Sequence, residues 1–357
     1  MNFGDAKITV GILFGGKSAE HEVSLQSAKN VYEAIDRRRF EPLLIGIGKD
    51  GTWRSTGDFS SLLNTDDPRR ISLNNAGEAI ALIPESRGVL CTPVLSSAGT
   101  NVDVVFPILH GPFGEDGTVQ GLLKLAGIPF VGAGVLGSAV GMDKNVMKRL
   151  LREAGIPVGK FCTVQSHEPI PSYAEIIAML GSPIFVKPAN MGSSVGISKA
   201  YSEAEFSAAM QEAFQYDTKI LIEECIRGRE IECAVLGNEN PAASVPGEII
   251  PTHDFYSYDA KYLDKDGARL EIPAQLDSAC QKRVQELTVK VFQTLCCEGL
   301  ARVDFFLKEN GELLVNEINT MPGFTKISMY PKLWEASGIG YTELISRLIE
   351  LAMERNT

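Results

Sequence analysis

The fold of this chain is constrained most by residues 301–323, ARVDFFLKENGELLVNEINTMPG. Two runs rich in branched and aromatic residues flank Asn310 and Gly311, a pair that strongly favours a tight turn between antiparallel strands. The stretch is therefore predicted to form a β-hairpin. A turn that ends at Gly311 would place Arg302 opposite Glu317 in the paired strands.

Four polar side chains of this hairpin fall at alternate positions, and alternate side chains of a strand point to the same face. They are Arg302, Asp304, Glu317 and Asn319. Carboxylate and amide oxygens suit Mg2+, which is usually bound together with water and substrate phosphates. The pattern predicts a metal site with the arginine beside it, where phosphate oxygens would lie. The alternative is a solvated strand face with incidental charges, and the abrupt strand exit at residues 319–323 favours the metal site.

The bulk properties indicate a globular protein of several domains. Its 357 residues exceed the size at which a single core stops growing, so two or three domains are expected. A net charge of -11 argues against nucleic acid as a partner, because such binding needs clustered cations. No apolar run approaches the roughly 18 residues of a membrane span, and no export signal is recognisable, so we expect neither a membrane anchor nor secretion. Seven cysteines without a disulfide-like spacing indicate reduced thiols and a cytoplasmic setting.

The chain opens with a β-α-β pattern. Residues 7–14 (KITVGILF) are predicted to form a buried strand, which Gly15 and Gly16 end. Ser24 is predicted to cap a helix, and the run PLLIGIG then gives a second strand. This order is typical of a doubly wound α/β domain.

Residues 11–18 (GILFGGKS) also satisfy the phosphate-loop expression G-x4-G-K-[ST], with Lys17 as its lysine. Taken alone, the match predicts a nucleoside triphosphatase switch. Such a loop needs its first glycine after the strand and its helix at the lysine, whereas Gly11 lies inside the apolar run. The triphosphatase is therefore kept as an alternative from another class. A second alternative is a non-catalytic nucleotide-binding module, for which the acidic set of the hairpin would be unnecessary.

Three further residues occupy positions where a polar group needs an explanation. The buried run VDVVFPIL delivers His110 into a Gly-rich loop, and ligands of doubly wound sheets lie at such strand ends. Asp143 is predicted to cap a helix, which puts Lys144 in the first turn, where a cation is unfavourable unless an anion lies nearby. Lys187 ends a predicted strand before NMGSSVG, whose glycines and successive amides suit an anion-binding lid, with an ordinary hairpin loop as the alternative.

Later segments are predicted to form a hinge, a lid and a helix. KILIEECIRGREIECAVLG has the pattern of two strands around a short loop, typical of a hinge between domains. Residues 252–271 are aromatic and charged, as in loops that close over a binding site, with a mobile surface loop as the alternative. Residues 276–295 are predicted to form an amphipathic helix without chemistry of its own.

Several of these motifs resemble one family. RVDFF followed by NEINTMPGFT, and GGKSAEHEVS near the start, resemble ATP-grasp enzymes and specifically the D-alanine:D-alanine ligases, and the resemblance extends over almost the whole chain. Met321 stands where the family usually has Leu or Ser. The resemblance implies an α/β protein with a three-domain ATP-grasp fold. Its domains would be residues 1–131, doubly wound and Rossmann-like; 132–223, with the Gly/Ser phosphate loop; and 224–357, with the lid loop 252–271 and the metal site.

The resemblance also implies roles for individual residues. The catalytic set would be Glu20, Ser193, Tyr262, Arg302 and Gly323. The D-alanine ligands would be His110, Lys261 and Ser328. The ATP ligands would be Lys144, Lys187, Ser194, Glu223, Glu224, Cys225, Ile226 and Glu230, with Glu224 acting through its backbone only. The metal ligands would be Asp304, Glu317 and Asn319.

The implied reaction is ATP-dependent ligation of two D-alanines to D-alanyl-D-alanine for peptidoglycan synthesis, by way of an acyl phosphate. Two Mg2+ ions, or Mn2+, would assist it. The implied partners are ATP and two molecules of D-alanine, the expected assembly is a homodimer, and the expected location is the cytoplasm. Within the family, a D-alanine:D-lactate ligase is the alternative. Tyr262 favours D-alanine, because depsipeptide-forming relatives lack this tyrosine.

Overall fold

The protein combines helices with three larger β-sheets, as the α/β class expected from the sequence requires. A computed structural model describes residues 7–56, 62–63, 71–73, 77–91, 100–251 and 268–355. The predicted lid residues Lys261 and Tyr262 lie outside the described residues. Within the described ranges, no helix has both the length and the apolar character needed to cross a bilayer.

The first part of the chain forms a largely parallel sheet around its apolar opening strand. Its elements are β1 (Ile8–Gly15), α1 (His21–Ala34), β2 (Phe40–Ile47), β3 (Trp53–Thr56), β4 (Leu62–Leu63), β5 (Ser72–Leu73), β6 (Glu78–Ala79), β7 (Ala81–Leu82), β8 (Val89–Cys91), β9 (Thr100–Asn101), β10 (Val104–Ile108) and α2 (Thr118–Leu125). The strand order is β10-β1-β2-β3-β6, and β1 runs parallel to β2 and β10. A strand covered on both faces has a continuous apolar sequence, which explains ITVGILFG. The doubly wound start is confirmed.

The connection from β1 to α1 overturns two interpretations. Ser24 does not cap α1, which begins at His21. The Ser24 hydroxyl accepts a hydrogen bond from the Gly15 amide at 2.7 Å and donates to the Ile108 carbonyl, so it links two strands instead of the helix end. The phosphate-loop interpretation is also wrong. Its helix would have to start at Lys17, but α1 starts later, and the first glycine of the motif lies within buried β1.

The second part forms an antiparallel sheet of its own. Its elements are α3 (Val135–Met142), α4 (Lys144–Glu153), β11 (Phe161–Gln165), α5 (Tyr173–Leu180), β12 (Ile184–Pro188), β13 (Ser198–Ala200), α6 (Glu203–Ala213) and β14 (Lys219–Glu224). The strand order is β11-β14-β12-β13. Asp143 caps α4 as predicted, because its carboxylate accepts from the amides of Asn145 and Val146 at 3.1 and 3.0 Å. The predicted strand, loop and strand around the Gly/Ser segment are β12 and β13.

The third part contains the predicted hairpin. Its elements are β15 (Arg229–Gly237), β16 (Ala242–Ala243), β17 (Gly247–Pro251), β18 (Ala268–Glu271), α7 (Ser278–Thr294), β19 (Gly299–Leu307), β20 (Leu313–Asn319), α8 (Met329–Ala336) and α9 (Tyr341–Glu354). The strand order is β18-β17-β15-β19-β20, with β16 beside β15. The chain passes from β14 of the second sheet to β15 of the third through residues 225–228, the position expected for a hinge.

The turn of the hairpin is one residue longer than expected. The Gly311 amide donates to the Lys308 carbonyl at 2.9 Å, and the Lys308 amide donates to the Glu312 carbonyl at 2.9 Å. Gly311 has a φ of 82°, the left-handed conformation that a three-residue turn of this kind requires. The two strands therefore start one residue away from the predicted register.

A β-bulge displaces the strands by one further residue. The pairing shifts between Asp304 and Phe305, where β20 contains one residue more than β19. Asp304 consequently lies opposite Glu317, and Arg302 lies opposite Asn319. The predicted pairing of Arg302 with Glu317 is wrong by two residues, one from the turn and one from the bulge.

The first and third sheets share one hydrophobic core. Phe324, in the segment after β20, packs against Phe106 of β10 with ring centroids 5.6 Å apart and against Tyr330 of α8 at 5.7 Å. Buried residues of β1, α1, β15, α8 and α9 belong to the same cluster, whereas the second sheet has a core of its own. The carboxyl end of β10 therefore lies beside the exit from β20. The domain boundaries at residues 131 and 223 stay predictions.

Candidate functional site

Three of the four polar residues of the hairpin contact one another. The Arg302 guanidinium donates to both oxygens of Asp304, each at 2.7 Å, and the Asn319 amide donates to Asp304 at 3.0 Å. Arg302 also lies 2.8 Å from an oxygen of Glu232, a buried residue of β15 paired with Asp304. Glu232 was not predicted from the sequence. The signal for it is the alternation along β15, which places Glu232 on the face of Asp304 once the two strands are paired.

Lys144 connects the fourth residue, Glu317, to the Gly/Ser loop. Its buried ammonium, in the first turn of α4, lies 3.7 Å from Glu317 and donates to the Met191 carbonyl at 2.7 Å. The Lys144 amide donates to the Ala189 carbonyl at 3.1 Å. An anion was expected beside this cation, and Glu317 is one. The predicted contact of Lys144 with ATP phosphate stays a prediction.

The donor set of the hairpin fits a hard divalent cation. Asp304 and Glu317 pair across the strands, and each carboxylate has a cationic side chain against it, Arg302 and Lys144 respectively. No group of three or more His, Cys, Asp or Glu side chains gathers as a metal cluster among the described residues. A metal here would thus be held by two carboxylates and the Asn319 amide oxygen, with water and phosphate as its other ligands, which is the usual environment of Mg2+.

A buried carboxylate joins two lysines beside this patch. One oxygen of Glu223 lies 3.0 Å from the Lys148 ammonium, and the other contacts the Lys187 ammonium. Burial disfavours the charged carboxylate, but the two lysines outweigh it and hold the pKa of Glu223 below its ordinary value. Burial lowers the pKa of Lys148, although Glu223 opposes this. Lys148 was not predicted, although it lies one helical turn after Lys144 and therefore on the same face of α4.

Four of the residues predicted to bind ATP lie along the hinge. The Glu224 carboxylate accepts from the Lys160 amide at 2.7 Å, and the Glu224 amide donates to the Lys160 carbonyl at 3.1 Å. Cys225 and Ile226 are half-buried in the connection after β14, and Glu230 is half-buried at the start of β15. The Glu224 side chain thus binds the hinge to Lys160, the residue directly before β11. The nucleotide contacts of these residues stay predictions.

Glu20 is enclosed by two glycine-containing loops. The Ser193 hydroxyl donates to the Glu20 carboxylate. A Cβ atom on Gly111 or Gly192 would lie 2.8 or 3.0 Å from one of the Glu20 oxygens, so both loops approach it closely. Ser193 and Ser194 have positive φ values of 50° and 62°, a strained backbone conformation for non-glycine residues that is often found at functional sites. The loop between β12 and β13 therefore meets the first part of the chain at Glu20.

His110 is buried beyond the carboxyl end of β10, and its Nδ1 lies 3.0 Å from the Met321 carbonyl oxygen. Because a carbonyl only accepts, Nδ1 carries the proton and Nε2 is left as an acceptor. Nε2 is buried without a hydrogen-bond partner among the described residues. Burial lowers the pKa of His110, with the Glu20 charge acting in the opposite direction, so the neutral imidazole is favoured. Its Nε2 can accept a hydrogen bond from a substrate ammonium.

The segment after β20 carries the last two predicted residues. Ser328 directly precedes α8, and its hydroxyl accepts from the Thr325 amide at 3.1 Å. A Cβ atom on Gly323 would lie 3.1 Å from the Ser328 hydroxyl, so the two residues are neighbours. Buried Phe324 anchors the segment in the shared core. Gly323 and Ser328 thus lie on a fixed backbone directly after the hairpin.

Comparison with known proteins matches both ends of the chain to one family. A family model described as D-ala D-ala ligase N-terminus matches residues 9–133, and one described as D-ala D-ala ligase C-terminus matches residues 150–350. A D-alanine–D-alanine ligase of Shouchella clausii (strain KSM-K16) is 58% identical over 355 residues, which cover 98% of this chain and 96% of that protein.

Solved structures show the same similarity. The D-alanine-D-alanine ligase from Coxiella burnetii matches with a TM-score of 0.86 and 39% identity, covering 98% of this chain and 95% of the other. A D-alanine–D-alanine ligase from Bacillus anthracis complexed with ATP matches with a TM-score of 0.73 and 26% identity, covering 98% of both chains. The similarity therefore includes the opening sheet, the hinge and the hairpin together.

Proposed function

The chain belongs to the D-alanine–D-alanine ligase family, and on that premise we propose that it joins two D-alanines while ATP is converted to ADP and phosphate. The protein has the ATP-grasp fold and is an ATP-dependent ligase whose dipeptide product serves cell-wall synthesis. One observation supports the proposal most strongly. Loops from the first and second sheets enclose Glu20 and Ser193, while Lys144 connects the second sheet to the hairpin that carries Arg302 and Asp304.

The first step activates the carboxylate of one D-alanine. A carboxylate is a poor electrophile, so one of its oxygens attacks the γ-phosphorus of ATP, ADP leaves, and an acyl phosphate forms. Lys144 and Lys187 would hold the phosphates with fixed positive charge. Glu20, oriented by Ser193, would bind the ammonium group of this D-alanine. Positioning accounts for the step, since no protein side chain acts as a covalent nucleophile.

The second step forms the peptide bond. The amine of the second D-alanine loses a proton and attacks the acyl carbon, and phosphate then leaves from the tetrahedral intermediate. Arg302 and the amide of Gly323 would stabilise the oxyanion of that intermediate. Ser328 would bind the carboxylate of the second D-alanine. The lid residues Lys261 and Tyr262 would close the site, which excludes water from the reactive acyl phosphate.

Mg2+ would be held by Asp304, Glu317 and Asn319, whose oxygens fit it. The ion supplies charge neutralisation to the triphosphate and the leaving ADP. Two ions, or Mn2+ in their place, are proposed by analogy with the family. Arg302 and Lys144 are the positive side chains against these carboxylates.

The proposal is tested by measuring ADP release together with product formation. With ATP, Mg2+ and D-alanine, we expect ADP and D-alanyl-D-alanine in equal amounts, and little ADP without D-alanine. ADP release that is independent of D-alanine, without any dipeptide, would refute the ligase function.

The alternative within the family is a ligase that accepts D-lactate as its second substrate. In a competition experiment, D-alanine and D-lactate are supplied at equal concentrations as second substrates, at pH 6 and at pH 8.5. We expect the dipeptide to predominate, increasingly so at the higher pH, because the second amine must lose a proton before it attacks. Predominant D-alanyl-D-lactate at both pH values would favour the alternative.

The assembly is proposed to be a homodimer. Four large apolar side chains are exposed on the adjacent helices α2 and α3: Leu122, Leu125, Val135 and Leu136. Exposed apolar groups that lie close together on a soluble enzyme mark a contact surface more often than isolated ones do. A cytoplasmic location is likewise proposed, because the reaction consumes ATP.

A further inference from the structure

We infer that Glu115 is a positioning residue, which together with His110 holds the backbone of Met321 and thereby fixes the segment between Asn319 and Gly323. Glu115 was not among the residues predicted from the sequence. The inference rests on the proposed function in one respect, because the effect of Glu115 on catalysis is measured in the ligation reaction. The geometry of the clamp itself is independent of that function.

The clamp consists of two side chains from one loop, which bind both backbone polar groups of one residue, Met321. One Glu115 oxygen accepts from the Met321 amide at 3.1 Å, and the other accepts from the Gly111 amide at 2.7 Å. His110 donates through Nδ1 to the Met321 carbonyl at 3.0 Å. The Met321 side chain is itself buried, with its Cε close to Gly132. The main chain and the side chain of Met321 are therefore both held by the first part of the molecule.

The clamp affects the proposed site because Met321 lies between two of its predicted residues. Met321 lies two residues after Asn319, the predicted metal ligand, and two residues before Gly323, the predicted oxyanion donor. The loop that grips it also approaches Glu20, since a Cβ on Gly111 would lie 2.8 Å from a Glu20 oxygen. The clamp thus sets the distance between the group that binds the first substrate and the groups that stabilise the intermediate. A misplacement of about 1 Å in such a site costs on the order of 100-fold in rate.

The need for two acceptors explains why a glutamate occupies this position. Burial and then the charge of Glu20 raise the pKa of Glu115 to about 8, while the amides of Gly111 and Met321 and the more distant Lys144 lower it. A carboxylate is unfavourable in such surroundings. Its two oxygens nevertheless each accept an amide hydrogen from a different loop. Glutamine has the same shape but one acceptor oxygen, so its NH2 group would face one of the two amides and that hydrogen bond would be lost.

The test compares Glu115→Gln with Asp116→Asn, a matched change in the same loop. Asp116 also accepts two backbone amides, those of Phe113 and Thr118 at 2.8 and 2.9 Å, but Phe113 lies in the same loop and Thr118 begins the adjoining helix α2. Each substitution replaces a carboxyl group by an amide of the same shape and removes one acceptor of a backbone amide. We expect Glu115→Gln to lower kcat at least tenfold, with the KM for ATP and the affinity for Mn2+ unchanged within about twofold. Asp116→Asn should leave kcat within about twofold of the unsubstituted enzyme.

A second measurement does not depend on catalysis. Amide hydrogen exchange at Met321, followed by NMR, should be at least about tenfold faster in Glu115→Gln and unchanged in Asp116→Asn. Unchanged exchange at Met321 in Glu115→Gln would overturn the inference, as would equal losses of kcat in the two variants. If the unsubstituted protein forms no dipeptide, the proposed function fails, and the exchange measurement alone decides whether the clamp exists.

Discussion

At the scale of single residues, Glu317 combines two roles in the proposed site, since it faces Asp304 across the hairpin and lies against the Lys144 ammonium. We expect Glu317→Gln to lower the rate of dipeptide formation by about 100-fold or more, because it removes one unit of charge from the metal patch without changing its volume. Mn2+ binding, measured by electron paramagnetic resonance, should weaken in parallel.

The control for this variant is Glu312→Gln on the same hairpin. Glu312 lies at the turn and pairs with Lys308 at 2.9 Å, away from the metal patch. It should retain both activity and Mn2+ affinity. Retained turnover in a correctly folded Glu317→Gln protein at saturating Mg2+ would remove Glu317 from the metal site.

The raised pKa of Glu115 also predicts how stability varies with pH. The pKa is about 8 in the folded protein and near its ordinary value of 4.5 in the unfolded chain. Between these values the folded state binds the additional proton. The contribution of Glu115 to stability is therefore lost progressively as the pH rises from about 4.5 to about 8, which is the reverse of the behaviour of a carboxylate in an ion pair.

Melting temperatures of the protein and of Glu115→Gln, measured from pH 5 to pH 9.5, test this sign. Relative to the glutamine variant, the unsubstituted protein should lose a few degrees between pH 5 and pH 8 and no more above about pH 9. A difference between the two proteins that does not vary with pH would show that Glu115 titrates at its ordinary value.

At the scale of elements, the position of a lysine relative to a strand end predicts which lysine binds the nucleotide. Lys187 is buried at the end of β12 against Glu223, whereas Lys17 is exposed in the connection after β1. We expect Lys187→Ala to weaken ATP binding by about 10-fold or more and Lys17→Ala to change it less than about threefold. Calorimetric titration of ATP into both variants checks this. A larger loss for Lys17→Ala would contradict the proposed contact of Lys187 with the nucleotide.

Much of the fold was predictable because local sequence patterns determine individual elements. The apolar run of β1 indicated a buried strand, and Asp143 before a helical pattern indicated the cap of α4. The Ser24 cap failed because the buried hydroxyl bonds to two strands that are distant in sequence. Lys148 and Glu232 were missed for the same reason, since their roles come from contacts between elements and not from a local motif.

The register of the hairpin was predictable only in part. The sequence signal for the bulge is the spacing of the core residues Leu313, Val315 and Ile318, which changes from two residues to three within β20. Strict alternation would instead have placed Glu317 on the core face. The face shared by the predicted metal ligands is therefore a product of this irregularity, which a turn dipeptide alone does not reveal.

At the scale of the whole molecule, the apolar side chains on α2 and α3 predict the assembly. We expect the protein to sediment at about twice its chain mass of 38.7 kDa, and the double variant Leu125→Glu/Leu136→Glu to sediment as a monomer. Met179→Glu is the control, because Met179 is comparably exposed on α5 but lies outside this surface. Dimers that persist in the double variant would place the interface elsewhere.

The contacts that assemble the site could not be predicted from the sequence, because its residues come from distant regions of the chain. His110 and Met321 meet across 211 positions of sequence, and Glu20 and Ser193 meet across 173. No periodicity or spacing determines such pairs. Residue identities were available from family resemblance, whereas the clamp on Met321 became visible only when the first and third sheets were seen to share a core.

The bulge in β20 absorbs one residue of the strand without changing the face of the predicted metal ligands. Asn316 is the additional residue, since its neighbours Val315 and Glu317 pair with Phe305 and Asp304. A natural variant that lost Asn316 would keep every predicted metal ligand in its sequence and could keep the sheet. Its Glu317 would then follow Val315 directly and would still lie opposite Asp304 on the outer face, because regular alternation would resume. Loss of Asn316 should thus be tolerated better than loss of any other residue of β20, and gaps among aligned family members are expected at this point of the strand.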